Sequence, residues 1–445
     1  MNMRGLQSCA AALLLCQAVS ANALGLMEAY DAALKNDPTY RSAVYDREAG
    51  QEYKVMGLSN LLPNLSASYS NSQNRASVTG PGAFGLPVTS QENYNSMTAE
   101  ILLRQPIINL DGLARYRQGI AQTEYSDAQF SSKRQDLVTR LVTAYAKAKY
   151  AEDLLALVEA QKATYVEQQK MNERMFEKGE GTKTDMLETE ARSQLADAEL
   201  LEAEDGQIQA KNELAAIVGR EVNSLDVLKD DFRVKPMQPS TFEEWKQVAL
   251  THNPDILAQQ KAVEAARQEI NKNRAGHAPR LDFVASVDDN ESQVIYMVGQ
   301  KIRSTTVGVQ LNVPLYSGGS VNASTRQAVS NHEKALSDLE GKTRQVLNDL
   351  HKNYSLALSS ALRIAALEKT LDSAKLLVEA TQKSVQGGLR TNLDVLNAKQ
   401  QVYVVRRDLA QARYSYIQYY LQLRQAAGIV GEADLREMAA YFEKP

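Results

Sequence analysis

The chain has 445 residues, 44% hydrophobic and 23% charged, with a formal net charge of −4. It lacks the basic surplus of a nucleic-acid binder, which argues against nucleic acid as a partner. Mean hydropathy is −0.39, and past the amino terminus no apolar stretch reaches the roughly 18 residues of a transmembrane helix. A β-barrel stays open, because alternating strands are nearly silent in hydropathy.

The amino terminus reads as a secretory signal, residues 1–23. Arg4 supplies the positive region, Ala10 to Val19 the apolar core, and Ala21-Asn22-Ala23 a cleavage site after Ala23. Both cysteines lie in this segment. Cys16 follows Leu15 where lipidation wants a small residue, and Cys9 precedes the apolar run. The mature chain is then thiol-free, with no disulfide and no cysteine metal site.

The rest is a duplication. Ala33 to Pro38 matches Ala249 to Pro254, Leu62 to Leu65 matches Ala278 to Leu281, Gln105 to Ile107 matches Val313 to Leu315, and Gly179 to Asp185 matches Gly388 to Asp394. The first repeat, residues 24–219, opens with an amphipathic helix from about Leu26 to Asn60, punctuated by Pro38, which suits a first helical turn. Leu65, Ala67 and Tyr69 then alternate with serines as a strand. A loop is expected over Asn71–Asn93, rich in Gly, Pro, Ser and Asn. The return strand carries Met97, Ala99, Ile101 and Leu103. A proline-free helix follows from about Gly112 to Phe176, with Leu137, Leu141, Ala144, Ala148, Ala151, Leu155 and Val158 stepping by four and three as a coiled-coil seam. After a glycine turn, a second long helix runs from about Asp185 to Val218, with Gly219 as its cap.

Residues 220–240 link the halves. The second repeat, 241–428, has a helix over about Thr241–Ala275, a strand through Leu281, Phe283, Ala285 and Val287, and a shorter loop starting Asp288-Asp289-Asn290. Its return strand holds Val307, Val309, Leu311 and Val313. Long helices follow over about Gly319–Val385, with a seam through Leu350, Tyr354, Ala357, Ala361 and Ile364, and about Leu393–Ala427, closed by Gly428. Residues 429–445 remain as a tail. Pro63, Pro106, Pro279 and Pro314 are placed where strand meets helix.

Four strands with one apolar face cannot close a barrel, since single-chain barrels start at about eight, and an open sheet cannot face lipid with unpaired edges. The strands must be pooled between chains, about eight from two chains or twelve from three. Pooling also gathers the helical hairpins into a hollow bundle. The fold class is therefore α+β: long coiled-coil hairpins plus four strands per chain in a shared barrel.

Catalytic chemistry finds no support. His252, His277, His332 and His351 are scattered and read as surface residues. Gly181-Thr182-Lys183-Thr184 has the wrong order and context for a phosphate loop. There is no G-x-S-x-G elbow, and Trp245 is read as a packing residue. The chain is not read as an enzyme, and no metal or cofactor is expected. Asp394 opens a helix after Gly388, where a carboxylate is a natural cap.

The signal, the duplicated unit, Gly387 to Leu396, Leu315 to Gly319 and Asn397 to Gln400 resemble the TolC family of outer-membrane efflux proteins over nearly the whole mature chain. The resemblance implies a homotrimer in Gram-negative outer-membrane lipid, with a shared barrel and a periplasmic α-tunnel. The tunnel would dock through a periplasmic adaptor onto an inner-membrane ABC transporter or proton-driven pump. It implies an exit duct, here for type I protein secretion, since many dedicated drug-efflux members carry an acylated cysteine that this mature chain lacks. Multidrug efflux is the alternative, and a barrel-anchored structural coiled-coil protein a remote one. By the same resemblance, Asp394 falls on an aspartate ringing the periplasmic entrance, and Asn397 replaces the second ring aspartate. Asp185 and Arg390 fall on an ion pair that holds the entrance closed. Thr184, Gly179 and Gly388 belong to the same turns, and Val385 replaces a tyrosine of that network.

Overall fold

The computed structural model describes residues 23–179, 181–292 and 300–444. The signal segment lies outside them except for Ala23. Each repeat begins with a short helix pair broken at a proline. α1 (Leu26–Asn36) and α2 (Pro38–Ser59) meet at Asp37, whose side chain accepts from the Tyr40 N–H.

β1 (Asn64–Pro81) and β2 (Pro87–Ile108) follow, paired in register from Asn64↔Arg104 to Pro81↔Pro87. The loop expected over 71–93 is therefore strand, with a turn of only five residues. The polar residues pair across it instead of coiling: Asn74 to Ser96 at 2.8 Å, Thr79 to Thr89 at 2.9 Å and Arg75 to Asn93 at 3.2 Å. The chain continues into α3 (Leu110–Glu177) and α4 (Lys183–Val218), then a short β3 (Val227–Leu228). At 68 residues α3 is roughly 100 Å long at 1.5 Å per residue.

The second repeat supplies α5 (Phe242–His252), α6 (Pro254–Arg274), β4 (Arg280–Ser292), β5 (Gln300–Asn312), α7 (Ser320–Gln386) and α8 (Asn392–Ala426). Asp288, Asp289 and Asn290, expected to start a loop, are inside β4 and pair with Ser304, Arg303 and Ile302. Pro106 also departs from expectation. It lies within β2 rather than at a strand end, and the β2–β4 register slips between Pro106 and Ile108. Such an irregularity lets an interior strand tolerate a residue with no N–H.

The sheet order is β1-β2-β4-β5, so the repeats join through β2 and β4. Register places Leu65 beside Leu103, Ala67 beside Ile101, Ile101 beside Val287, Leu103 beside Ala285, Ala285 beside Val307, and Phe283 beside Val309. One apolar face thus runs across all four strands, and Leu65, Tyr69, Val307 and Val309 on it are exposed in the isolated chain. Among the described residues β1 and β5 are left as unpaired edges.

The core sits at mid-chain height, where Leu137, Leu141 and Tyr145 of α3, Leu214 of α4, and Tyr416, Ile417 and Leu421 of α8 are fully buried. Burying each such side chain contributes about 1.5–3 kcal/mol. Trp245 packs as expected, fully buried with its indole N–H on the Pro239 carbonyl at 2.7 Å. Residues 429–444, read as a tail, instead fold over this core. α9 (Glu432–Ala439) is held by a buried Arg424–Asp434 ion pair, and β6 (Phe442–Glu443) pairs with β3. Phe442 stands edge-on to Tyr145 at 5.2 Å.

Candidate functional site

The residues singled out by the sequence gather at the two hairpin turns, which repeat one design. α3 and α7 both end in a glycine that must take positive φ, Gly179 at 73° and Gly388 at 72°. The turn closes with Gly179 N–H on the Phe176 carbonyl (3.0 Å) and Gly388 N–H on the Val385 carbonyl (2.9 Å). A threonine cap then starts the returning helix. Thr182 accepts from the Asp185 N–H at 3.1 Å and donates its hydroxyl to the Asp185 carboxylate at 2.7 Å. Thr391 accepts from the Asp394 N–H at 3.4 Å, while its own N–H and hydroxyl both donate to the Asp394 carboxylate at 3.0 Å.

Asp185 and Asp394 are thus repeat partners, each closing the first turn of its helix. The Thr391 N–H, then its hydroxyl, hold the Asp394 carboxyl below the usual carboxylate range, with Arg390 adding to this. The carboxylate stays in solvent and charged. Its capping contacts therefore do not compete with a charge displayed at an entrance.

Asp185 and Arg390 are not paired within one chain. Asp185 is engaged with Thr182, and Arg390 makes no ion pair among the described residues. Thr184 is exposed on the first turn of α4, and Val385 is half-buried at the end of α7.

The structure adds a residue that sequence reasoning passed over. Arg192 of α4 reaches across to α8 and donates to the Asn397 side-chain oxygen at 2.8 Å, while the same nitrogen bonds Glu188 at 2.9 Å. Glu188 and Asn397 are separated by the same offset of 209 that relates Gly179 to Gly388, so Arg192 grips a residue and its repeat copy together. That offset was the available signal. Three further contacts tie the hairpins. Gln161 of α3 donates to Gln400 of α8 at 3.0 Å, and Tyr165 also donates to Gln400. Asn392 donates to the Met175 sulfur at 3.7 Å. Between these polar ties, Tyr165, Ala196 and Leu396 form a small buried apolar cluster. The arrangement is a pair of stiff levers joined near their tips by a few exchangeable polar contacts. Such ties can hold one hairpin against the other.

Known proteins share this architecture. The profile of the family described as outer membrane efflux protein matches residues 29–220 and 245–429. The chain is 41% identical over 433 residues to the alkaline protease secretion protein AprF of Pseudomonas aeruginosa, covering 97% of this chain and 90% of that protein. It is 36% identical over 431 residues to the proteases secretion protein PrtF of Dickeya chrysanthemi, covering 95% and 92%. Among solved structures, the outer membrane protein VceC from Vibrio cholerae superposes with a TM-score of 0.75 at 19% identity, covering 91% of this chain and 96% of that one. That last likeness speaks for the fold alone.

Proposed function

Because the chain belongs to the outer membrane efflux protein family, as its TolC resemblance indicated, we propose that it is the outer-membrane exit duct of a type I secretion system whose cargo is a secreted protease. The observation that carries this reading is the end-to-end similarity to two protease secretion proteins, at 41% and 36% identity. The duct is passive. It hydrolyses nothing and works with a periplasmic adaptor and an inner-membrane ABC transporter that supplies the energy.

The sheet supports assembly between chains, and the family resemblance supports three of them. Two open edges per chain, β1 and β5, require partners before the apolar face can meet lipid. Exposed leucines along the helices, Leu195 and Leu201 on α4 and Leu358 and Leu362 on α7, have no cover among the described residues and support the same reading. In the trimer the hairpin tips converge. Three copies of Asp394 then ring the entrance, and Asp185 of one chain pairs with Arg390 of the next to keep it shut.

Deleting the gene and assaying the culture medium tests the function. Extracellular protease activity should disappear, return on complementation, and accumulate inside the cells meanwhile. Unchanged extracellular protease, together with lost tolerance to toxic small molecules, would transfer the protein to efflux.

A further inference from the structure

The first described residues, from Ala23, are buried against the middle of the chain, not laid along its surface. Leu24 is buried. Its N–H donates to the Ser224 carbonyl at 2.8 Å, and its carbonyl accepts the Tyr145 hydroxyl at 2.8 Å. That hydroxyl also accepts the Asp226 backbone N–H at 3.1 Å. Leu24 and Leu225 form a parallel β-bridge, which places residues 25 and 226 side by side. The Asp226 carboxylate accordingly lies over Gly25, where a Cβ would stand 3.0 Å from Oδ2.

The other oxygen, Oδ1, is buried and has no hydrogen-bond partner among the described residues. Burial pushes the Asp226 carboxyl up. Lys444 is the cation that opposes this, and Glu28, itself bonded to Arg220 at 2.5 Å, adds to it. A buried carboxylate oxygen left without a donor is costly enough that native structures normally supply one.

We propose that the α-ammonium group released at Leu24 by signal cleavage is that donor, and that Asp226 is the docking site of the mature amino terminus. The proposal rests on export with cleavage after Ala23. In the precursor, residue 24 offers one amide N–H, already given to Ser224. Cleavage turns this nitrogen into an ammonium with three donors and a positive charge. One donor keeps the Ser224 carbonyl. The others face the carboxylate that covers the next residue, directly or through one water. Processing thereby completes a buried ion pair at the seam where Leu24, Ser224 to Asp226 and Tyr145 meet. The uncleaved chain has to close that seam around an unpaired carboxylate, with Ala23 itself buried.

The experiment uses the full-length protein purified from outer membranes in detergent. Intact mass first reads the amino terminus. The α-amine is then labelled near neutral pH with an amine-reactive ester, and the terminal peptide is followed by mass spectrometry in the native and urea-unfolded states. Pairing that raises the amine's pKa by one unit above its ordinary 7.7–8.0 slows labelling by about tenfold. We expect that protection in the native protein and its loss in Asp226→Asn. Should Asp226→Asn not assemble, reductive 13C-methylation of the native amine and an NMR titration decide instead, with a midpoint above the ordinary value expected. A start at Leu24 with an amine as reactive as in the unfolded chain overturns the pairing alone. A start elsewhere overturns both the pairing and the cleavage reading.

Discussion

Replacing Arg192 by Ala should open the entrance. The Arg192–Asn397 hydrogen bond spans the two hairpins at 2.8 Å, and the Arg192 side chain is 25% exposed. A hydrogen bond to a charged donor contributes about 1.5–3 kcal/mol when well buried. Exposure brings this bond down to about 0.5–1 kcal/mol. Three symmetric copies act on one gate, so about 1.5–3 kcal/mol is lost in total if distant sites add. That shifts a closed–open equilibrium by roughly tenfold to a hundredfold. Open probability of the purified trimer in planar bilayers is the readout. Arg192→Ala also breaks the contact with Glu188, so Glu188→Gln is the control. It spares the bond to Asn397 and should gate like wild type. If Arg192→Ala and Glu188→Gln both leave open probability within twofold of wild type, the cross-hairpin contact is not part of the lock.

Four further outcomes follow from other contacts. Asp394→Ala should abolish most of the cation preference and trivalent-cation block of bilayer current, with helix content unchanged by circular dichroism. Asn397→Asp should strengthen block little, because the new carboxylate faces Arg192, and the full gain should emerge only in Asn397→Asp with Arg192→Gln. In the Asp37–Arg140 pair (3.1 Å), burial alone would raise the Asp37 carboxyl. Hydrogen bonds from Arg140 and the Tyr40 N–H outweigh burial and hold the carboxyl below its ordinary range. Its stabilisation is thus complete above the ordinary carboxylate pKa and fades as pH falls through the lowered one. Asp37→Asn should cost about 1–3 kcal/mol at neutral pH and flatten the acid limb of a thermal-midpoint profile. Gly428 has φ 78°, and a Cβ there would sit 2.4 Å from the Asn253 Cα. Gly428→Ala therefore meets both backbone strain and a clash, and should lower the thermal midpoint far more than Gly206→Ala, where nothing lies within 4 Å.

The long helices and the apolar strand face were legible because each rests on local periodicity. Leu137, Leu141, Ala144 and Ala148 are buried as their spacing required. The turn glycines were equally legible, since positive φ leaves few alternatives to glycine. The misread segment, 71–93, shows where composition misleads. Gly, Pro and Asn are depleted in strands, yet this long hairpin accommodates them and pairs its polar side chains across the ladder. The folded tail left no local trace because its two strand residues pair with partners some two hundred positions away. Arg192 was invisible to any reading of α4 alone, since its second partner is on α8 and only the repeat offset connects them. The proposed Asp185–Arg390 pair would lie between chains, and one chain's sequence carries it only through resemblance.

The seam that receives both ends of the chain has a topological consequence. Leu24 bridges Leu225, and Glu443 pairs with Val227, so the beginning, the middle and the end of the polypeptide meet within a few residues. Every hairpin, strand or helical, is an excursion that leaves this junction and returns to it. Where translation starts is then a matter of gene order more than of architecture. A circularly permuted chain, joined from 444 to 24 by a short linker and opened in the exposed turn at 82–86, keeps every helix and strand whole. Such a chain would move the free ends from the periplasmic mid-section to the outer rim of the barrel.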